Sequence, residues 1–354
     1  MNSKKKIGLI GYLGYSIENP IIGGQMTKTR GIYQELKRKY GNENIEIIDT
    51  SNWKSEKISI VFAMLRIAMK CDPIIIMPNK NGIKIILPFF SMLKSLYNYS
   101  IAYPVVGGWL TNSLKKHIYL CKAIKKVDYI LPETKQLQKE LLEFTDVKID
   151  VMPIFSTRIP VNKEQINVQW DGIKKFCIFS RITPEKGIDE AIKALRIINK
   201  NAIIAHLDIW GPIDHDYEEH YMKLFANYNE FVTYKGVLSL NDSLQELSEY
   251  YMMLFPTYYP GEGFPTTICE SFMAGLPVIA SDWRFNRELI TDGENGFLIP
   301  VHDINMLSEK ILLCINNKEM IITMKYKALK YSKKFKPELV MSELFTWINY
   351  IKKA

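Results

Sequence analysis

The sequence predicts an α/β protein made of two doubly wound, Rossmann-like domains, each a parallel sheet wrapped in helices. Three observations carry this expectation. Short apolar runs alternate with amphipathic stretches along the whole chain. The alternation begins afresh near Phe176. Each half also has one glycine-rich turn at the C-terminal end of a strand, the edge where open α/β sheets bind ligands. A length of 354 residues is long for one core and comfortable for two.

In the first half, residues 6–10, 45–48, 74–77, 100–105 and 129–131 read as buried strands. Residues 26–40 read as a helix, with Ile32 and Leu36 one turn apart and Gly41 closing it. In the second half the strands fall at 176–179, 203–210, 231–233, 252–255, 278–280 and 296–299. Residues 337–353 read as one amphipathic helix carrying Leu339, Leu344, Phe345, Ile348 and Ile351. Low periodicity, with Pro153, Pro160, Asn162 and Asn167, marks 152–174 as the connection. The expected domains are 1–165 and 166–335, with 336–354 a terminal helix packing back on the first.

Composition excludes several classes. No apolar run reaches the ~18 residues of a membrane span. The nearest, 58–69 and 83–96, are broken by Arg66 and by Lys84, Pro88 and Lys94. Cys71, Cys121, Cys177, Cys269 and Cys314 are scattered without metal spacing, which suggests reduced thiols in a cytoplasmic protein. The net charge of +8 is uneven: residues 1–165 hold 25 Lys and Arg against 14 Asp and Glu, the rest 21 against 24. A basic half suits an anionic partner. No nucleic-acid module is recognisable, so nucleic acid is not an expected partner and a membrane surface is favoured. Lys115, Lys116, Lys122, Lys125 and Lys126 lie at roughly helical spacing, either a solvated face or a membrane-facing stripe. The apolar stretch holding Phe62, Met64 and Met69 reads first as core, with a lipid-facing helix as the alternative.

The most informative segment runs Gly261-Glu262-Gly263-Phe264-Pro265-Thr266-Thr267-Ile268-Cys269-Glu270. Pro265 suits a first helical turn, Ile268, Phe272 and Met273 form an apolar side, and Gly275 with Pro277 ends the helix, giving 265–274. The helix N-terminus can hold a phosphate. Two acceptor-only carboxylates beside it, Glu262 and Glu270, suit a ligand with phosphate and many hydroxyls. A sugar nucleotide is such a ligand.

Arg181 follows a strand directly, and Lys186 precedes the next helix in Ser180-Arg181-Ile182-Thr183-Pro184-Glu185-Lys186-Gly187. The pair could grip a diphosphate, Arg by its planar fork and Lys as a point charge. Taken alone, the loop also reads as a charged surface turn. In the first half Gly8, Gly11 and Gly14 lack the dinucleotide-binding spacing, and Asp49 is too distant to be its acid. Gly23 and Gly24 read either as backbone that a phosphate can approach or as a plain turn. Asp214-His215-Asp216 has a metal-site form but reads as a solvated loop.

Together with the segments 277–283 and 295–300, these motifs resemble the retaining family-4 glycosyltransferases of the GT-B fold, densely over 177–303 and more weakly in the first half. The resemblance implies that Arg181 and Lys186 bind the donor diphosphate. It implies that Glu262 contacts the donor sugar, with the amides of Gly263, Phe264, Pro265, Thr266 and Thr267 near sugar and phosphate (Pro265 by position only). Glu270 would bind the ribose, Gly23 and Gly24 would close on the diphosphate, and Val237 and Leu238 would meet the nucleobase edge. Many relatives carry a polar pair where this chain has Val106-Gly107-Gly108-Trp109. Gly107, Gly108 and Trp109 are therefore assigned to the acceptor side, Trp109 with plain packing as its rival reading. The implied partners are a nucleotide-sugar donor, UDP-linked, and a glycan or polyprenyl-diphosphate-linked acceptor at the inner membrane face. No cofactor and no metal are expected. A GT-B epimerase or phosphorylase, or a binding subunit without activity, are the alternatives.

Overall fold

The computed structural model describes residues 5–15, 17, 23–239 and 242–353. The chain forms two compact units, Met1–Thr157 with Phe335–Ala354, and Arg158–Lys334.

Unit 1 runs β1 (Lys6–Gly11), α1 (Gly24–Tyr40), β2 (Ile45–Asp49), α2 (Lys57–Lys70), β3 (Cys71–Met77), α3 (Ile83–Tyr97), β4 (Ile101–Pro104), α4 (Leu110–Lys116), α5 (Ile118–Ile124), β5 (Tyr129–Leu131), α6 (Lys135–Leu141) and β6 (Lys148–Ile149). Its sheet is parallel, in the order β2-β1-β3-β4-β5-β6. The inner strands β1, β3, β4 and β5 are short, mainly apolar runs buried on both faces, as parallel strands covered by helices must be, and the edge strands β2 and β6 are partly exposed.

The connection through α1 travels along the sheet in one direction, and those through α2, α3 and α4–α5 in the other. Right-handed crossovers then put α1 on one face and α2, α3 and α5 on the opposite face. Two glycines of β1 agree with this. A Cβ at Gly11 would strike Thr29 of α1 at 2.8 Å, while one at Gly8, three residues away and so facing oppositely, would strike Ile67 of α2 at 2.8 Å.

Unit 2 runs β7 (Lys174–Phe179), α7 (Ile188–Ile198), β8 (Ala205–Trp210), α8 (Glu218–Asn227), β9 (Val232–Gly236), α9 (Ser243–Ser248), β10 (Met252–Phe255), α10 (Thr266–Met273), β11 (Val278–Ser281), β12 (Gly296–Ile299), α11 (Ile304–Asn316) and α12 (Lys318–Ser332). Its sheet is parallel too, ordered β12-β11-β10-β7-β8-β9. The order reverses between β7 and β10, the switch point outside whose strand ends open α/β sheets hold their ligand crevice.

The expected strands are all present, with ends moved by up to three residues; β6 was not foreseen because it holds two residues. Three expectations need correction. Residues 337–353 form two helices, α13 (Pro337–Val340) and α14 (Ser342–Ile351), interrupted at Met341. Leu339 is 60% exposed and takes no part in the apolar side. Leu344, Trp347 and Ile348 of α14 join the core that Ile32 and Leu36 of α1 line. On α2, Met64 is core, but Phe62 and Met69 point outward, 68% and 58% exposed. Positions 60, 64, 67 and 68 already fill the inner side of that helix.

Candidate functional site

The crevice of unit 2 collects most of the residues singled out by sequence. After β7 the chain passes Arg181 and makes a 3-10 turn, Pro184–Lys186. Gly187 closes the turn at φ +73°, and a Cβ there would lie 2.3 Å from the Pro256 carbonyl. Only glycine lets the β7 loop press this closely on the β10 loop. The contact is locked by Tyr258 N–H donating to the Glu185 carbonyl (2.8 Å). Gly211 does the same on the other side: its Cβ would lie 1.8 Å from the Ser180 carbonyl.

This packing brings Lys186 onto Glu262. Nζ lies 2.6 Å from Glu262 Oε2, and the two side chains are 14% and 11% exposed. Thr257 Oγ1 lies 3.2 Å from the same carboxylate oxygen and 3.1 Å from the Glu185 carbonyl, its single proton serving one of the two. The Lys186 ammonium also sits 5.0 Å from the Tyr259 ring centroid, an orientation favourable for a cation over an aromatic face. The ammonium has three protons and Glu262 takes one. Its charge compensates that carboxylate, so an anionic ligand can approach without meeting a bare negative charge. Arg181 is exposed, and its guanidinium has no side-chain partner among the described residues.

Four residues after Glu262, α10 begins. Pro265 is its N-cap in extended backbone (ψ 108°), and the helix ends at Met273, one residue inside each expected bound. The Pro265 carbonyl accepts from Ile268 N–H, which starts the helical ladder. The Thr266 and Thr267 amides, in the first turn, have no acceptor within the helix by position. Gly263 is half-buried, and Phe264 and Pro265 are buried against the unit. Glu270, further along α10, accepts from Arg158 Nη1 at 3.3 Å. Burial pushes its carboxyl above the usual range, with Arg158 pulling against it.

Sequence reasoning missed Arg158 and Thr257. Arg158 lies in the aperiodic connection, where only its charge between Thr157 and Ile159 marked it. Thr257 was one more residue after a strand.

The remaining candidates of unit 2 lie elsewhere in it. Val237 and Leu238 follow β9 at the outer side of the sheet, past Gly236 at φ +78°, and Val237 is 68% exposed. Asp214 caps a 3-10 turn by accepting from the Asp216 amide (3.4 Å), with His215 and Asp216 in solvent. No cluster of three His, Cys, Asp or Glu suited to a metal occurs among the described residues.

In unit 1, Gly23 is the N-cap of α1 and Gly24 its first residue. A Cβ at either would meet nothing within 4 Å among the described residues, so none of these demands a glycine at either position. Gly107, at φ +80°, donates its N–H to Glu133 Oε2 at 3.0 Å. Gly108 is buried, and Trp109, the N-cap of α4, is half-buried. Behind this loop lies a pair that the sequence did not reveal. Lys28 Nζ donates to Glu133 Oε1 (3.2 Å), the Val105 carbonyl (3.1 Å) and the Met152 carbonyl (3.1 Å), so all three ammonium protons are used.

Two parallel six-stranded sheets with their covering helices make this the GT-B architecture. Residues 162–331, which include Arg181, Lys186, Glu262 and Glu270, match the family model for glycosyl transferases group 1. Over 186 residues the chain is 31% identical to the UDP-N-acetylglucosamine–peptide N-acetylglucosaminyltransferase GtfA subunit of Streptococcus pneumoniae, covering 49% of this chain and 34% of that protein. It is 27% identical over 176 residues to the capsular polysaccharide biosynthesis glycosyltransferase CapM of Staphylococcus aureus, covering 48% and 44%. The chain thus spans less than half the length of these two relatives. The crystal structure of Anabaena HepE in complex with UDP superposes with a TM-score of 0.72 at 15% identity, over 98% of this chain and 100% of that one.

Proposed function

We infer that this protein is a retaining glycosyltransferase of the family-4 type, its Glu262 and Glu270 forming that family's paired-acid motif. It would transfer a sugar from a UDP-linked donor to a lipid-linked or growing oligosaccharide of a surface polysaccharide. The observation that carries the reading is the Lys186–Glu262 pair, 2.6 Å apart at the mouth of the β7–β10 crevice and four residues before the N-terminus of α10. A UDP-sugar offers such a site what it lacks: a diphosphate for Lys186, Arg181 and the α10 amides, and sugar hydroxyls for Glu262. The relatives' names support the UDP donor and the surface glycan.

In this reading the bond from the anomeric carbon to the diphosphate oxygen breaks, and its electron pair leaves with the nucleoside diphosphate. Arg181, Lys186 and the amides of Thr266 and Thr267 stabilise that charge as it grows. The acceptor hydroxyl attacks the face the diphosphate leaves, and its proton passes to a donor phosphate oxygen. Neither Glu262 nor Glu270 acts as nucleophile, since one is committed to sugar hydroxyls and the other to ribose. Two cations and a helix dipole supply the charge compensation, so no metal is required. Val237 and Leu238 remain candidates for the base, Gly23 and Gly24 for phosphate, and Gly107, Gly108 and Trp109 for the acceptor side. The reaction would take place at the inner face of a membrane, which the excess of basic residues over 1–165 supports.

A panel of nucleotide sugars read by thermal shift tests the donor, because a bound ligand stabilises the fold by mass action. UDP-sugars should raise the midpoint and other nucleotides should not. Transfer to an acceptor with EDTA present, and an α-linked product from an α-linked donor, test the rest. Epimerised sugar or a sugar phosphate as the product would favour another GT-B reaction. Binding without transfer or hydrolysis would favour a subunit without activity.

A further inference from the structure

We propose that the outer side of α2 and α3, with the basic rim of α4 and α5, is a docking face that seats unit 1 on an anionic lipid bilayer. Each of these helices has an inner side that is fully used: Ile60, Met64 and Ile67 of α2 and Ile86, Leu87 and Phe90 of α3 are buried. Their outer sides are nonetheless apolar. Ile58, Phe62 and Met69 recur along α2 and Met92 and Leu96 along α3, and all are more than half exposed, Ile58 the most at 76%. Steps of four, seven and eleven residues keep each set within about 40° around its helix axis, so each is a stripe. The helices are neighbours on one sheet face: α2 packs on α3, and α3 on α5. Ser91 Oγ of α3 donates to the Ala123 carbonyl of α5 at 2.9 Å. Exposed Ile118 of α5 adjoins the same layer.

Charge decides what covers this face. The four helices contain no Asp or Glu. Arg66 and Lys94 are neutralised by Glu46 and Asp128. Lys57, Lys70, Lys84, Lys115, Lys116 and Lys122 have no acidic partner among the described residues. Solvated helices of unit 2, such as α7, α8 and α12, mix both signs. Exposed apolar stripes rimmed by unpaired lysines fit a surface that is apolar a few ångströms down and anionic at its headgroups. No helix among the described residues is long and apolar enough to cross a membrane, so α2 and α3 would lie on the bilayer and not span it.

The proposal rests on the lipid-linked acceptor reading for its purpose and stands apart from it in its test. The full chain is floated with vesicles of phosphatidylcholine, with and without phosphatidylglycerol. It should float with the anionic vesicles only, and less as salt rises. F62E/M92E/L96E, all at exposed positions, should lower the vesicle partition coefficient roughly tenfold or more at every salt concentration. K115E/K116E/K122E should abolish the salt-dependent part. Both variants should keep the wild-type UDP-induced thermal shift and transfer to a soluble acceptor, read without vesicles. Absence of flotation, or apolar variants that float like wild type, overturns the proposal. So does sedimentation as a dimer that F62E/M92E/L96E converts to monomer, since a second copy would then cover the face. If docking holds but no donor binds, the transferase reading fails and the docking face survives.

Discussion

Lys28 and Glu133, 105 residues apart in sequence, form an ion pair whose side chains are 1% and 2% exposed. Burial lowers the Lys28 pKa, and Glu133 opposes that shift. The pair ties α1 to the end of β5 and, through the Gly107 amide, to the loop after β4. Removing either partner leaves a buried charge uncompensated. Lys28→Met should therefore destabilise the protein by about 3–5 kcal/mol. Lys28→Met with Glu133→Gln should recover part of that loss. Urea unfolding of the three proteins checks both outcomes.

Lys186 and Glu262 make the opposite test, because their pair is proposed to bind the donor. Lys186→Ala and Glu262→Gln should lower turnover by about 10²–10³-fold. Stability should change by only about 1–2 kcal/mol. Steady-state rates beside melting curves separate the two effects. Near-wild-type turnover in either variant would remove the residue from the site.

Gly187 couples backbone to site. Alanine there puts a Cβ into the Pro256 carbonyl at a left-handed backbone position. The variant should lose roughly 1–3 kcal/mol. Because Lys186 precedes it, donor affinity should fall too, which titration with UDP would detect. Gly23→Ala, whose Cβ meets nothing among the described residues, should leave stability unchanged.

Lys325 gives a pH signature. It is fully buried, donates to the Ser248 carbonyl at 3.1 Å, and burial lowers its pKa to about 7. The unfolded chain keeps the ordinary lysine value of about 10.4. Between those limits the unfolded state holds the extra proton, so stability rises with pH. Below about pH 7 both states are protonated and the penalty is constant. Wild type should therefore gain on Lys325→Met as pH rises from 7 towards 10. Chemical denaturation of both proteins across that range measures the difference, and parallel curves would refute it.

The elements legible in the sequence were those that rest on local pattern. Buried parallel strands are apolar runs, and α10 announces itself by Pro265, its apolar positions and Gly275. The site residues of unit 2 were legible because they fall in the loops that follow β7 and β10 or in the helix that the second loop opens. What was hidden depends on chain segments far apart. Lys28 looks like any helical lysine until β4, β5 and the Met152 carbonyl converge on it. Arg158 lies in a stretch without period, 112 residues from Glu270. The outward Phe62 and Met69 were read as core because apolar content gives no direction. The break at Met341 lies inside a run whose apolar spacing continues across it.

The return of residues 335–354 to unit 1 sets an order for synthesis. Unit 2 is one continuous stretch, Arg158–Lys334, and can close its core as soon as it has left the ribosome. Unit 1 begins first yet finishes last, because Leu344, Trp347 and Ile348 fill its interior. Until they arrive, the side of its sheet next to α1 stays open to water. The nascent chain must keep that apolar gap from other partners through the translation of an entire second unit.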